Sequence, residues 1–136
     1  MSDLSKSMYI SASGLKSQAA RMRVVAQNIA NADSTGDTPG ATPYRRKTIT
    51  FKSMMDKKTG AELVTVGKYG TDPKPFKTKF DPYHPAADGQ GYVLYPNVDN
   101  TIESMDMREA QRSYEANMVA IEASKHMLLQ TIELLR

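Results

Sequence analysis

Residues 8–32 read MYISASGLKSQAARMRVVAQNIANA, and their apolar residues recur in a regular pattern. These apolar residues alternate at intervals of four and three, so each column of the repeat advances by seven residues. The positions in the repeat are Met8, Ala12, Leu15, Ala19, Met22, Ala26 and Ile29. Such a repeat predicts a helix that packs along a coiled-coil seam, and we expect it to run from about Leu4 to Ala32. Because alanines alternate with the large residues, the seam buries little apolar area per turn.

The predicted helix stops at a cluster of turn-forming residues. Residues 33–43 contain Gly36, Pro39, Gly40 and Pro43 among aspartate, serine and threonine. These residue types favour turns and oppose continuation of a helix, so we predict a loop over 33–43.

A second heptad repeat runs from about residue 100 to the end of the sequence. Its main column is Met107, Tyr114, Ile121, Leu128 and Leu135, and its offset column is Gln111, Met118, Lys125 and Ile132. Polar residues within a seam, here Gln111 and Lys125, are typical of positions that set the register of the paired helices. Asn100, followed three residues later by Glu103, predicts the N-cap and capping box of this helix.

The residues between the two repeats carry no helical period. Short β-rich runs at 47–51, 61–69 and 91–95 are separated by a turn at 57–60 and a proline-containing loop at 71–89. The sequence therefore predicts a mainly α fold with a small β insertion. We expect the long N- and C-terminal helices to pair as an antiparallel coiled coil, with an irregular β-rich central region. The predicted segments are an N-terminal coiled-coil helix at 1–33, a central region at 34–98 and a C-terminal coiled-coil helix at 99–136, the two helices forming one discontinuous domain.

Composition excludes several classes of protein. The chain has no cysteine, which excludes a disulfide framework, a thiolate metal site and a cysteine nucleophile. No run approaches the roughly 18 consecutive apolar residues of a membrane-spanning helix, so we expect no direct membrane insertion. The N-terminus lacks the basic and apolar regions of a cleavable signal peptide, and any export is expected to use another route.

Charge is distributed unevenly along the chain. Residues 44–80 carry ten Lys/Arg against three Asp/Glu, net +7, whereas residues 81–136 carry four against nine, net −5. Such asymmetry can steer head-to-tail contacts between subunits. The alternative interpretation is a solvated basic loop region.

Little in the sequence favours catalysis. The two histidines, His84 and His126, are not at the spacing of metal ligands, and we expect neither an enzyme nor a cofactor. The basic run Arg45, Arg46 and Lys47 could contact nucleic acid. We favour the interpretation that this run meets acidic side chains such as Glu103, Asp106 and Glu109 on a neighbouring subunit, because nucleic-acid binding leaves both heptad helices unexplained.

Three stretches resemble a known family. Residues 11–31 (SASGLKSQAARMRVVAQNIAN) with 42–46 (TPYRR) resemble the N-terminal signature of the flagellar axial family, which includes rod, hook and hook-associated proteins. Residues 96–118 (PNVDNTIESMDMREAQRSYEANM) are similar to the partner signature of the rod proteins, and residues 84–97 (HPAADGQGYVLYPN) to the region before it. The short length also fits a rod protein of the proximal type.

The resemblance implies a structural protein of the bacterial flagellar basal body. Members are exported through the flagellar type III apparatus without signal cleavage, and they assemble as a helical tube that crosses the periplasm. A proximal rod subunit would link the membrane ring to the distal rod and transmit torque for motility. The implied partners are other rod proteins, the rod-to-ring adaptor, further copies of the chain and the export apparatus, with no nucleic acid. The alternative is a binding module or export-linked adaptor that recognises partner helices without forming a tube.

We expect both seams to serve assembly. The residues predicted to make polar contacts between subunits are Asn28, Asn31, Arg45, Arg46, Glu103, Asp106 and Arg112. Because isolated helices depend on tertiary packing for most of their stability, the ends of a dilute monomer are expected to be frayed.

Overall fold

The computed structural model describes residues 2–136 and contains two long helices with four strands between them. The elements in chain order are α1 (Asp3–Ala30), β1 (Lys47–Met55), β2 (Glu62–Thr71), β3 (Lys77–Phe80), β4 (Tyr92–Tyr95) and α2 (Asn100–Leu134). The prediction of two terminal helices with a small β region between them is confirmed.

Helix α1 begins and ends close to the predicted positions. The backbone N–H of Ser5 donates to Ser2 Oγ (3.3 Å), which satisfies one free donor of the first turn. At the C-terminal end, the Asn31 side chain donates to the carbonyl of Gln27 (2.9 Å). The helix therefore ends two residues before the predicted Ala32, because an amide side chain satisfies the last turn.

The N-cap of α2 is Asp99, so the prediction of Asn100 at that position is wrong. Asp99 Oδ1 accepts the backbone N–H of Thr101 (2.9 Å), and Asn100 is the first helical residue. Asparagine and aspartate cap helices about equally well, so two adjacent candidates could not be separated by residue type. The Glu103 side chain is consequently not part of a capping box and turns into the protein interior.

Strands β1 and β2 form one two-stranded sheet. At one end of this hairpin Asp72 N donates to the carbonyl of Arg46 (2.9 Å), and at the other Asp56 N donates to the carbonyl of Ala61 (2.9 Å). Gly60 holds a positive φ of 68° in the connecting turn, a conformation that favours glycine. The predicted turn at 57–60 is thus confirmed.

Strands β3 and β4 pair antiparallel, with Lys77 opposite Tyr95 and Phe80 opposite Tyr92. β3 lies inside the stretch 71–89 that was predicted to be a loop, so that prediction is wrong for Lys77–Phe80. All four residues of β3 are exposed, and a short strand without a buried face has no alternation of apolar and polar residues to reveal it.

The chain folds into two compact units. The first contains the described residues up to Met22 with Ile49–Lys68 and Arg108–Arg136, and the second contains Arg23–Thr48 and Tyr69–Met107. Each unit therefore takes residues from all three predicted segments.

The first unit has a core of small residues. Its buried side chains are Ser11, Ser17, Ala20, Thr59, Ala61, Ala110 and Ser124. The α1 and α2 segments meet at Ser7 and Ser124, whose hydroxyls are 3.4 Å apart, and at Arg21 and Glu109, whose Nη2 and Oε2 are 3.3 Å apart. Small side chains allow this close approach of the two helices but bury little apolar surface.

Gly14 lies at the same contact between α1 and α2. A Cβ built at Gly14 would lie 2.8 Å from Asn117 Nδ2, so a side chain there would displace Asn117. The glycine inside the helix is therefore explained by the approach of Asn117.

The second unit has larger buried residues. Its apolar core contains Val24, Val25, Ala32, Ala86, Val93, Pro96 and Val98, and it also buries Asn28, Asp72 and Glu103. Over the described residues, neither helix is long and apolar enough to span a membrane.

Candidate functional site

A buried polar cluster in the second unit brings together residues from α1, from the chain just before β1 and from α2. Glu103 is completely buried, and its carboxylate accepts a hydrogen bond from Arg46 Nε. An ionised carboxylate without solvent is unfavourable unless it is paired, so the fold of this unit depends on Arg46 reaching Glu103.

Arg46 also faces two further carboxylates. Its Nη1 is 3.5 Å from Asp72 Oδ2, and its Nη2 is 3.7 Å from Asp106 Oδ2. Burial lowers the pKa of Arg46, but the hydrogen bond to Glu103 and the charges of Glu103, Asp72 and Asp106 outweigh burial and raise it. The guanidinium is therefore held in its charged form by three acidic side chains.

Asn28 connects α1 to the start of β1. Its Oδ1 accepts the Tyr44 hydroxyl (2.7 Å) and the Lys47 backbone N–H (2.9 Å). Its Nδ2 donates to the Lys47 carbonyl (2.9 Å) and to Glu103 Oε2 (3.4 Å). All four hydrogen-bonding positions of the amide are used, and only 1% of the residue is exposed.

Tyr44 completes this part of the cluster. Burial, followed by the negative charge of Glu103, raises the pKa of the Tyr44 phenol. Its hydroxyl remains a neutral donor to Asn28 at ordinary pH.

Asn97 and Arg45 hold the chain around Asp72. Asn97 Oδ1 accepts the backbone N–H of Arg46 (2.8 Å), and its Nδ2 donates to the carbonyls of Asp72 and Lys74 (3.1 and 3.0 Å). Arg45 Nη1 donates to the same two carbonyls (2.8 and 3.0 Å), and its guanidinium lies 4.1 Å from the centre of the Phe76 ring. These bonds fix the ends of the β1–β2 hairpin.

The structure brings four of the predicted polar residues together within one chain. Asn28, Arg46, Glu103 and Asp106 belong to the cluster, whereas Arg112 is exposed on α2. Asn31 caps the end of α1 and accepts the Ser34 hydroxyl (3.0 Å). Contacts of these residues with a neighbouring subunit stay a prediction.

The basic run is occupied by intramolecular contacts. Lys47 Nζ donates to Gln27 Oε1 (3.2 Å), Arg45 binds backbone carbonyls, and Arg46 binds the carboxylates. Of the acidic side chains expected to face this run, Glu103 and Asp106 do so within the same chain. Glu109 instead pairs with Arg21.

The predicted seam residues fall into two groups by exposure. The half-buried group is Met8, Ala12, Leu15, Ala19, Met22, Met107, Tyr114, Ile121 and Leu128. The exposed group is Ala26, Ile29, Met118, Ile132 and Leu135. The direct contacts between the helices are made by neighbouring columns instead. On α1 the contacting residues Ser7, Gly14 and Asn28 each precede a predicted seam residue by one position. Their partners on α2, Ser124, Asn117 and Glu103, each precede a residue of the main column by four positions.

Sequence reasoning missed Tyr44, Asp72 and Asn97 as members of the cluster. Tyr44 and Asn97 lie in the stretches 42–46 and 96–118 that resemble the flagellar axial family, which was the available signal. Asp72 lay within the predicted proline-containing loop, and nothing near it indicated burial.

Ser13 and Ser17 were also missed, and they bind the hairpin in the first unit. The Ser13 hydroxyl accepts the N–H of Val64 (3.2 Å), and the Ser17 hydroxyl donates to the carbonyl of Val64 (3.3 Å). Among residues 2–136 no group of three or more His, Asp or Glu side chains is arranged to hold a metal ion.

Comparison with known proteins identifies the family. The model of "Flagella basal body rod protein" matches residues 8–36, and that of "Flagellar basal body rod FlgEFG protein C-terminal" matches residues 90–134. The flagellar basal-body rod protein FlgC of Agrobacterium fabrum is 52% identical over 136 residues, covering 100% of this chain and 98% of the relative. The chain belongs to the flagellar basal-body rod protein family.

More distant rod proteins match over nearly the same length. FlgC of Yersinia enterocolitica is 41% identical over 92% of each chain, and FlgC of Bacillus subtilis is 37% identical over 94% of this chain and 95% of the relative. The resemblance to the rod proteins, and to FlgC among them, is confirmed. The two rod-family matches contain Asn28, Glu103 and Asp106, whereas Arg46 and Asp72 lie between them.

Proposed function

We propose that the chain is a structural subunit of the flagellar basal-body rod, in its proximal part. The observation that carries this proposal is the 52% identity to the rod protein FlgC of Agrobacterium fabrum across the whole chain. A polymer subunit needs a stable fold and surfaces for its neighbours rather than a reactive cleft, and the polar cluster is suited to stabilising a fold.

The proposal includes assembly through the terminal helices. Within each unit the α1 and α2 segments contact each other, at Ser7 with Ser124 and Arg21 with Glu109 in the first, and at Asn28 with Glu103 in the second. Residue numbers rise along α1 as they fall along α2, which supports antiparallel pairing. The spacing of seven residues between Ser7, Gly14, Arg21 and Asn28 supports a coiled-coil arrangement. We therefore propose the helices as one discontinuous domain, with residues 34–98 inserted between them.

Several finer parts of the role follow from the family and are proposed with it. The chain would polymerise with further copies and with other rod proteins, bind the rod-to-ring adaptor, and link the membrane ring to the distal rod so that torque passes through it. It would cross the periplasm as part of the rod, after export through the flagellar apparatus without signal cleavage, and it would catalyse no reaction.

Fractionation of cells that carry an epitope-tagged chain tests the proposal. We expect the chain in purified basal bodies, and we expect deletion of α1 or of residues 108–134 to abolish its incorporation and to stop swimming. Replacement of Lys57 and Lys58 in the hairpin turn, both exposed, is the matched control and should leave incorporation unchanged. A chain found only in the cytoplasm, with intact rods, would support the export-linked adaptor instead.

A further inference from the structure

Helix α2 carries more apolar surface than its contacts within the chain use. Met118, Leu129 and Ile132 are 42%, 50% and 48% exposed, although Met118 and Ile132 occupy heptad positions. Ala110 and Ser124 are buried and Asn117 contacts α1. These three residues are separated from the exposed ones by the half-buried heptad column Met107, Tyr114, Ile121 and Leu128. The heptad repeat of α2 therefore has an inner column that faces its own chain and an outer column that faces solvent.

The outer column has a definite chemical character. The outer column consists of Gln111, Met118, Lys125 and Ile132. Each of the first three is followed four residues later by another residue on the same side of the helix, and these are Glu115, Glu122 and Leu129. Over residues 2–136, the side chains of Glu115 and Glu122 have no hydrogen-bond or ion-pair partner. The stripe, defined here as these seven residues, presents the apolar side chains of Met118, Leu129 and Ile132, and its two glutamates outnumber its one basic residue, Lys125.

The first unit also contains a groove with apolar walls. The groove lies between α1 and the β1–β2 hairpin, has a volume of about 280 Å³, and is lined by Tyr9, Ala12, Lys16, Met54, Leu63 and Val64 among others. Tyr9 and Met54 are each half exposed, so apolar side chains of the groove face solvent. Lys16 is the charged residue among those that line the groove.

The charges of the groove and the stripe are complementary. The α1 segment of the first unit carries Lys6, Lys16 and Arg21 against Asp3 alone, and Arg21 is paired with Glu109. Lys16 has no ion pair within the described residues. A groove whose charged residue is Lys16 and a stripe with two glutamates against one lysine, net −1, attract each other across two copies of the chain.

We propose that the stripe of one copy packs into the groove of a second copy, with Glu122 facing Lys16 of the neighbour. This inference rests on the proposed function and names the surfaces through which it is carried out. Because the groove and the stripe are different surfaces, the contact is heterologous and can repeat from copy to copy without closing into a dimer. That is the symmetry a helical polymer requires.

Cysteine cross-linking in basal bodies tests the contact, since the chain has no cysteine of its own. Two differently tagged variants, Ala12→Cys and Met118→Cys, are expressed together, and mixed disulfides are separated by size. We expect a mixed species joining the groove variant to the stripe variant. Ala116→Cys, exposed on α2 but on a face away from the stripe, replaces Met118→Cys as the control and should give at least about tenfold less.

The outcomes separate this inference from the proposed function. Basal bodies that contain both variants but give no more mixed disulfide than the Ala116→Cys control would overturn the contact and leave the rod role intact. Absence of even the unsubstituted chain from basal bodies would overturn the rod role and this contact with it.

A charge exchange provides a second test that does not depend on cysteine chemistry. Lys16→Glu and Glu122→Lys should each reduce incorporation at least about tenfold, because each places like charges across the contact. The double variant should recover most of the incorporation, since the pair is restored with reversed sign. Equal loss in the double variant and in the single variants would contradict the proposed contact.

Discussion

Glu103 is the most deeply buried charged residue of the second unit. It is fully buried, and the side chains that surround its carboxylate are Arg46 and Asn28. Glutamate is rarely buried without a charged partner, so the burial of Glu103 is explained by its pairing with Arg46. The sequence does not show that Arg46 and Glu103 pair, because they are separated by 57 positions and neither interrupts a periodic pattern.

Removal of Glu103 should destabilise the chain strongly. We expect Glu103→Ala to lower the free energy of unfolding by about 3–5 kcal/mol, since it breaks the buried pair with Arg46, and the other two carboxylates, of Asp72 and Asp106, lie farther from the guanidinium. Urea unfolding measures the change, and Glu133→Ala, exposed near the end of α2, is the control, expected within about 0.5 kcal/mol of the unsubstituted chain. A similar small change for Glu103→Ala would contradict the role of the cluster.

Tyr44 should make stability depend on alkaline pH. Its pKa is raised in the folded state above the ordinary value of 10.0, so the folded chain holds the phenol proton more tightly than the unfolded chain. The corresponding stability is complete below pH 10.0 and is lost as the pH rises from there through the folded-state pKa.

The phenylalanine variant tests this dependence. At neutral pH we expect Tyr44→Phe to cost about 1 kcal/mol, because the hydrogen bond to Asn28 is lost. Above pH 10.0 its stability should fall less steeply than that of the unsubstituted chain. Urea unfolding at several pH values measures both effects, with the almost fully exposed Tyr83→Phe as control. Parallel pH profiles for all three chains would show that Tyr44 does not titrate differently on folding.

At the scale of elements, the contact between α1 and α2 explains why a glycine lies inside a long helix. Alanine at position 14 would improve helix propensity by about 1 kcal/mol, yet its Cβ would lie 2.8 Å from Asn117 Nδ2. Helix propensity by itself favours alanine at this position, and the reason for glycine lies on the other helix, where Asn117 needs the space.

A double-mutant cycle separates these two effects. In the presence of Asn117→Ala, Gly14→Ala should stabilise the chain by about 1 kcal/mol. With Asn117 present, the same change should gain clearly less or destabilise, which gives a positive coupling energy in urea unfolding. Equal gains in both backgrounds would mean that Asn117 does not require the glycine.

The periodic patterns predicted the bounds of the two helices well, but they did not predict which face of each helix contacts the other. Both helices end within two residues of the predicted limits, because long heptad repeats and clusters of turn residues are strong local signals. The contacting columns differ from the predicted ones because they contain serine, glycine and asparagine, which pack closely without being apolar. β3 was missed for a related reason, since none of its residues is buried.

The ends of the helices have the fewest buried residues. Over residues 125–136 every side chain is exposed except that of Leu128, which is half-buried. We expect amide hydrogen exchange in a dilute monomer to be fast over residues 125–136 and slow around Val24 and Val93, where the core of the second unit lies. Slow exchange at the C-terminal end of a non-associating monomer would contradict the expected fraying.

At the scale of the whole molecule, the uneven charge has a different meaning from the one the sequence suggested. Residues 81–106 carry five acidic residues and no basic one. Glu103 and Asp106 face Arg46, Asp99 caps α2, and Asp88 accepts the N–H groups of Gln90 and Tyr92. Four of these acidic side chains therefore make stabilising contacts within the chain itself.

Imaging of purified basal bodies at side-chain resolution tests directly whether this chain is a subunit of the rod. We expect density for this chain in the proximal rod, with α1 and α2 at its subunit contacts and Arg46 joined to Glu103 within each copy. A proximal rod without density for this chain, in cells that produce it, would contradict the proposed role.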